Sequence, residues 1–302
     1  MNDIVNMNAV PSEISTPSIS GSCFLIELNI SSWAGRKLDK KQSADVSVRN
    51  NAASGMANVH KKLLGDCAEL IAVQKFAANA RNEHYSMTKP WSNSGLAILP
   101  TRWYDKYVHR MTGLQGEYNA LVGTFFDAYV WATSQAQIKL GDMFDANDYP
   151  TVDSLRNKFR FQINPMPMPE AGDFRVDLGN EAKEMLTSHY KDFYSNQIGN
   201  MMSGVWTQLY DALSKMSERL DYTNDSNKKI FRDSLVSNVT DMIDMLDAFN
   251  MTGDTQMTAM KQRLESTMLG ITPDALREDD YLRVETKRAV DQMMRALPSL
   301  DL

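Results

Sequence analysis

At 302 residues and 43% apolar, the chain can bury one large core or two ordinary ones, and a charged share of 23% is that of a globular surface, not a disordered coil. A net charge of -6 excludes a uniformly basic polyanion binder, and no stretch approaches the roughly 18 apolar residues of a membrane span. Cys23 and Cys67, forty-four residues apart, exclude a disulfide framework or zinc ribbon and fit reduced thiols in a cytosol.

Residues 1–22 are rich in Ser, Asn, Pro and Thr and read as a tail, without the basic start and apolar run of a signal peptide. Phe24, Ile26, Leu28 and Ile30 then alternate with their neighbours, which predicts a strand over 23–30 with its even face buried. From Asn50 to Arg81, Met56, Val59, Leu63, Leu64, Leu70, Val73 and Phe76 recur at helical spacings, so one amphipathic helix is expected, bent at Gly65. Residues 87–99, with Pro90, Trp91 and Gly95, read as a structured loop.

A long helix is expected from Gly113 to about Phe144, striped by Leu114, Tyr118, Leu121, Phe125, Tyr129 and Ala132. A short helix should start behind Pro150 and Thr151. Phe159, Phe161 and Ile163, then Phe174, Val176 and Leu178, alternate on either side of a proline-rich connection and predict two more strands. A second long helix is expected from about Asn180 to Tyr222, with Leu186, Tyr190, Phe193, Met201, Val205, Leu209, Met216 and Leu220 on its stripe. Three helices should follow, over about 226–250, 255–270 and 273–297, the first of them nearly heptad through Phe231, Leu235, Val239, Met242, Leu246 and Phe249. The twenty methionines fall mostly in these stripes, where flexible thioethers fill irregular gaps. The expected fold is therefore mainly α: an elongated bundle of long antiparallel helices with a small antiparallel β-sheet. The domain reading is a tail over 1–22, a helical domain with the sheet over 23–225 and a C-terminal helical segment over 226–302.

Charge is uneven. Residues 34–110 hold 13 Lys and Arg against 6 Asp and Glu, a local +7 that leaves -13 for the rest. Arg36, Lys37, Lys40 and Lys41 follow Gly35, but one glycine and no Lys-Ser/Thr pair do not make a phosphate-cradling loop. Beside them Trp33, with Trp91 and Trp103, offers aromatic rings that would stack on bases, against the simpler reading that all three are core. Those seven residues are the candidate contacts for a partner or nucleic acid. The histidines His60, His84, His109 and His189 form no H-x-x-x-H or H-E-x-x-H, and Asp241, Asp244 and Asp247 drift around a helix as a solvated face. Residues 221–232 begin like a calcium loop but have Ser226 for the glycine and Arg232 for the closing glutamate. No catalytic residue, metal ligand or cofactor site is expected.

Four segments together resemble a bacteriophage and prophage family of uncharacterised proteins: Leu28 to Lys37 (LNISSWAGRK), Leu140 to Pro150 (LGDMFDANDYP), Phe159-Arg160-Phe161, and Ala171 to Val176 (AGDFRV). The likeness covers roughly 23–225 and none of the segments is a catalytic motif. It implies a phage-encoded protein in the cytoplasm of the infected bacterium. Family members lie near genes for a MoxR-like AAA+ ATPase and a von Willebrand factor A-type protein, which implies at most a helper of an ATPase machine.

Three functional readings follow. The leading one is a non-enzymatic scaffold or adaptor whose partner is a protein, an AAA+ ATPase or a second copy. The alternative is a nucleic-acid-associated protein using the basic, Trp-containing segment 34–110. The third is an enzyme assembled from His84, His109 and acidic residues.

Overall fold

The computed structural model describes residues 21–169, 179–222 and 229–298. Most of the expected tail, the strand at 174–178, the AGDFRV segment and the turn at 223–228 lie outside the described residues. The fold is mainly α with a minor antiparallel β component.

In chain order the elements are β1 (Cys23–Ser31), β2 (Arg36–Leu38), α1 (Lys40–Arg49), β3 (His60–Lys62), α2 (Ala68–Met87), β4 (Lys89–Pro90) and β5 (Leu96–Pro100). Then come α3 (Tyr104–Leu140), α4 (Val152–Arg156), β6 (Arg160–Pro167) and α5 (Asn180–Leu220), followed by α6 (Ser234–Phe249), α7 (Thr255–Met268), α8 (Pro273–Glu278) and α9 (Asp280–Arg295). One sheet has the order β4-β5-β1-β6, and β2 and β3 form a separate two-stranded ribbon.

The chain divides into two compact units. The first comprises Met1–Ile26, Thr88–Tyr104 and Pro165–Leu302, and the second Glu27–Met87 and Asp105–Asn164. Both long helices are continuous, α3 over 37 residues and α5 over 41.

In the first unit, α5 packs against α6 and α9, α7 against α6 and α9, and α8 against α9. Leu209, Leu213 and Met216 of α5 are fully buried there, together with Val239 and Phe249 of α6, Met257 and Leu264 of α7, and Val290 of α9. The helices beyond 225, expected as a separate segment, are thus part of the same core, because the stripes of α6 and α9 bury against α5. Methionines fill this interior at positions 201, 216, 242, 257, 260, 268 and 293. Caps set the short helices: Asp254 accepts from Gln256 and Met257 backbone N–H, and Thr272 caps α8 ahead of Pro273.

In the second unit the expected stripe of α3 is buried at Leu114, Tyr118, Phe125, Tyr129 and Ala132. Its hydroxyls and amides tie other segments to it: Tyr118 Oη donates to Ser31 O at the end of β1 (2.5 Å), Tyr129 Oη to Pro150 O (2.8 Å) and Gln115 Nε2 to Phe161 O of β6 (2.7 Å). Thr151 caps α4, as its position behind Pro150 led one to expect.

Three expectations are corrected. The helix over 50–81 is instead an extended turn, the short strand β3 and then α2, since the backbone at Gly65 is left-handed (φ +59°) and residues 60–62 pair with β2. The loop at 87–99 contains the antiparallel pair β4–β5, with Lys89 opposite Ile98. Along β1, Cys23 and Leu25 are buried together with Ile26, while Phe24, Leu28 and Ile30 are only half-buried, so the burial does not follow the expected even face.

Candidate functional site: a basic ribbon and helix

The basic cluster of the sequence becomes one preorganised piece of the second unit. Gly35 opens it with a left-handed φ of +62°, and a Cβ there would come within 2.7 Å of Leu70 Cδ2, so both conformation and packing require glycine. β2 then pairs antiparallel with β3 in the register Arg36↔Lys62, Lys37↔Lys61 and Leu38↔His60. The ladder is extended at both ends, by Leu63 N–H to Gly35 O (2.8 Å) and Asp39 N–H to Val59 O (2.8 Å). Asp39 also caps α1 through Gln42 N–H (3.0 Å), and Ser43 Oγ of α1 accepts from Val59 N–H (2.9 Å).

This register sets two like-charged pairs side by side, which is unfavourable for side chains directly opposite one another. One pair is neutralised. Asp148 is 3% exposed, ion-paired with Lys37 and lying 2.6 Å from Lys61 Nζ, while Lys61 also donates to Met143 O at 2.7 Å. The hydrogen bond to Asp148 raises the Lys37 ammonium above its usual range. Burial pushes the Asp148 carboxyl up, but the hydrogen bonds from both lysines outweigh it and hold the group below the ordinary aspartate value. The other pair, Arg36 and Lys62, is on the opposite side of the ribbon and exposed; among the described residues Lys62 alone has a carboxylate, the still more exposed Asp66 at 3.1 Å. Lys40 and Lys41 follow, exposed, in the first turn of α1, which has no acidic residue.

The tryptophans do not join this surface. Trp33 lies beneath the ribbon, 9% exposed, its ring 6.4 Å from Phe125 and 6.0 Å from Tyr129. Trp91 and Trp103 belong to the first unit, Trp91 buried edge-on against Tyr194 (4.9 Å) and Trp103 half-buried against Phe249 (5.6 Å). All three are therefore packed within the fold and none offers an open platform for a base. The sequence reading missed Lys61 and Lys62, which it had placed on a helix, and Asp148. It also passed over Trp131: this side chain is 68% exposed on α3, with Val130 at 68% and Ile138 at 78% nearby.

The residues of the enzymatic reading do not converge. His84 is buried with its Nδ1 2.8 Å from Tyr107 Oη, and burial lowers its pKa to about 4, whereas His109 is exposed. Asp247, one of the three spaced aspartates, is ion-paired with Arg102 and, at 2.7 Å, with Lys261. The most perturbed amine is Lys89 of the first unit, 4% exposed, hydrogen-bonded to Gln208, 5.6 Å from the Phe249 ring and lowered by burial to about 8. Among the described residues no three His, Cys, Asp or Glu side chains come together in a way that would hold a metal ion. No described helix is long and apolar enough to cross a membrane.

No family model, curated protein or solved structure matches the chain.

Proposed function

We propose that this chain is a non-enzymatic interaction protein: a phage-encoded helical scaffold or adaptor that works in the cytoplasm of the infected bacterium and engages a protein partner through α3. The observation that carries the reading is Trp131, with Val130 and Ile138, standing in water on the side of α3 away from its buried stripe. Steps of seven and eight residues return to nearly the same side of a helix, so the three side chains share a sector about 100° wide. Large apolar side chains grouped in this way mark interaction sites, and tryptophan is among the residues that anchor protein interfaces most strongly. A stiff 37-residue helix held along its buried stripe presents that sector without a folding cost at the moment of binding.

The partner class that the phage resemblance implies is an AAA+ ATPase, with a second copy of the chain as the other protein occupant. The test is affinity capture from infected cells with the wild-type chain and with Trp131→Ala/Ile138→Ala. Specific retention of an AAA+ ATPase by the wild type and its loss from the variant is the expected result. Equal retention by both, or neither an AAA+ ATPase nor a second copy of the chain above background, overturns the reading.

A further inference from the structure

We propose a second binding surface, independent of α3: the outward side of the β2–α1–β3 module grips the phosphate backbone of a nucleic acid through Arg36, Lys62, Lys40 and Lys41. Two features of this module work against folding and are relieved by the same ligand. Arg36 and Lys62 are directly opposite each other in the ribbon, both exposed, with one carboxylate, Asp66 at 3.1 Å from Lys62, between the two of them. Lys40 and Lys41 occupy the first turn of α1, where the helix dipole already presents positive charge and acidic side chains are preferred. A polyanion laid over the ribbon and the start of α1 compensates both, while Lys37 and Lys61, neutralised by Asp148 on the other side of the ribbon, stay outside the contact.

The module is also rigid enough to use them. Gly35, the Asp39 cap, and the bonds from Val59 to Ser43 and Leu63 to Gly35 fix ribbon and helix to each other, so binding orders only the tips of the side chains. Nucleic acid fits better than an acidic protein segment because the cations stand in two fixed pairs, Arg36 with Lys62 on the ribbon and Lys40 with Lys41 at the start of α1. Duplex DNA carries one charge per roughly 1.7 Å of axis, so it meets such pairs in any register, whereas carboxylates on a protein must match their positions one by one. The buried Trp33 supplies no base stacking, and the contacts are to phosphate only, without sequence preference.

The experiment is fluorescence anisotropy of a short labelled DNA duplex titrated with the full chain over a range of salt. Four phosphate contacts lower the affinity about a hundredfold between about 50 and 200 mM salt. Arg36→Ala/Lys62→Ala reduces the slope of log affinity against log salt by about two on every sequence tried, and Lys40→Ala/Lys41→Ala, which touches neither strand, does the same. Lys75→Ala, the loss of one exposed charge on α2, leaves binding unchanged. Because it removes a like-charged pair, Arg36→Ala/Lys62→Ala melts no lower than wild type, which separates lost binding from lost folding. No duplex binding at low salt, binding unaffected by both double variants, or uptake of polyglutamate without uptake of duplex each overturns the proposal, the last in favour of an acidic protein.

Discussion

Replacing Asp148 by Asn removes the one carboxylate that separates Lys37 from Lys61. Asp148 is 3% exposed and Lys61 9%, while the Lys37 side chain is 51% exposed. Breaking a buried ion pair by deleting one partner costs about 3–5 kcal/mol, because the remaining charge is left unpaired in a poor solvent. Here Lys37 is free to turn into water and Lys61 keeps the Met143 carbonyl, which places the expected loss below that range, at about 2–3 kcal/mol. In a unit of this size that lowers the melting temperature by about 10 °C. Asp148→Asn/Lys61→Met removes the stranded charge as well, and an apolar chain of similar volume returns the protein to within about 1 kcal/mol of wild type. Urea denaturation of the wild type, both single variants and the double variant gives the coupling directly. An Asp148→Asn variant as stable as wild type, or a double variant no better than the worse single one, refutes the neutralised-pair account of the ribbon.

Three further predictions concern titration and backbone geometry. His84 falls from 6.5 to about 4 on folding because burial disfavours its charged form, so its contribution is complete above pH 6.5 and is lost as pH falls toward 4. That difference corresponds to about 3 kcal/mol, and His84→Gln flattens this part of the stability–pH curve in equilibrium unfolding. Lys89, lowered from 10.5 to about 8 by burial, gives the opposite end of the curve: stability rises with pH from about 8 to 10.5, and Lys89→Met both raises stability at neutral pH and removes the rise. Gly35→Ala forces a left-handed alanine against Leu70, which costs about 1–2 kcal/mol in conformation alone and lowers the denaturation midpoint.

The long rods were legible because their pattern is local. Leu114, Tyr118, Phe125 and Tyr129 recur at steps of four and seven residues, and any helix built on them buries one stripe. The start of α3 at Tyr104 instead of Gly113 was less visible: Tyr107 and Met111 continue the stripe, and the helix tolerates Gly113. Residues 56–64 misled for the opposite reason. Met56, Val59 and Leu63 have helical spacing, yet the left-handed Gly65 and the long-range pairing of 60–62 with 36–38 decide the backbone, and Met56 ends 76% exposed.

The candidate surface was legible by half. Arg36, Lys37, Lys40 and Lys41 are adjacent in sequence, whereas Lys61 and Lys62 reach them only through strand pairing, and Asp148 arrives from more than eighty residues further on. Trp33 looked like a stacking platform because of its basic neighbours; Phe125 and Tyr129 enclose it instead. Trp131 drew no notice because, in sequence, it is one more apolar residue in a long apolar-striped helix.

The central claim is that α3 presents Trp131 to a protein, and site-specific photo-crosslinking in infected cells tests it most directly. A photoreactive residue at position 131, with one at the exposed Lys75 of α2 as control, is activated during infection. The account predicts a discrete adduct with an AAA+ ATPase or with a second copy of the chain at 131 and none at 75. No adduct at 131, or the same products from both positions, would contradict it.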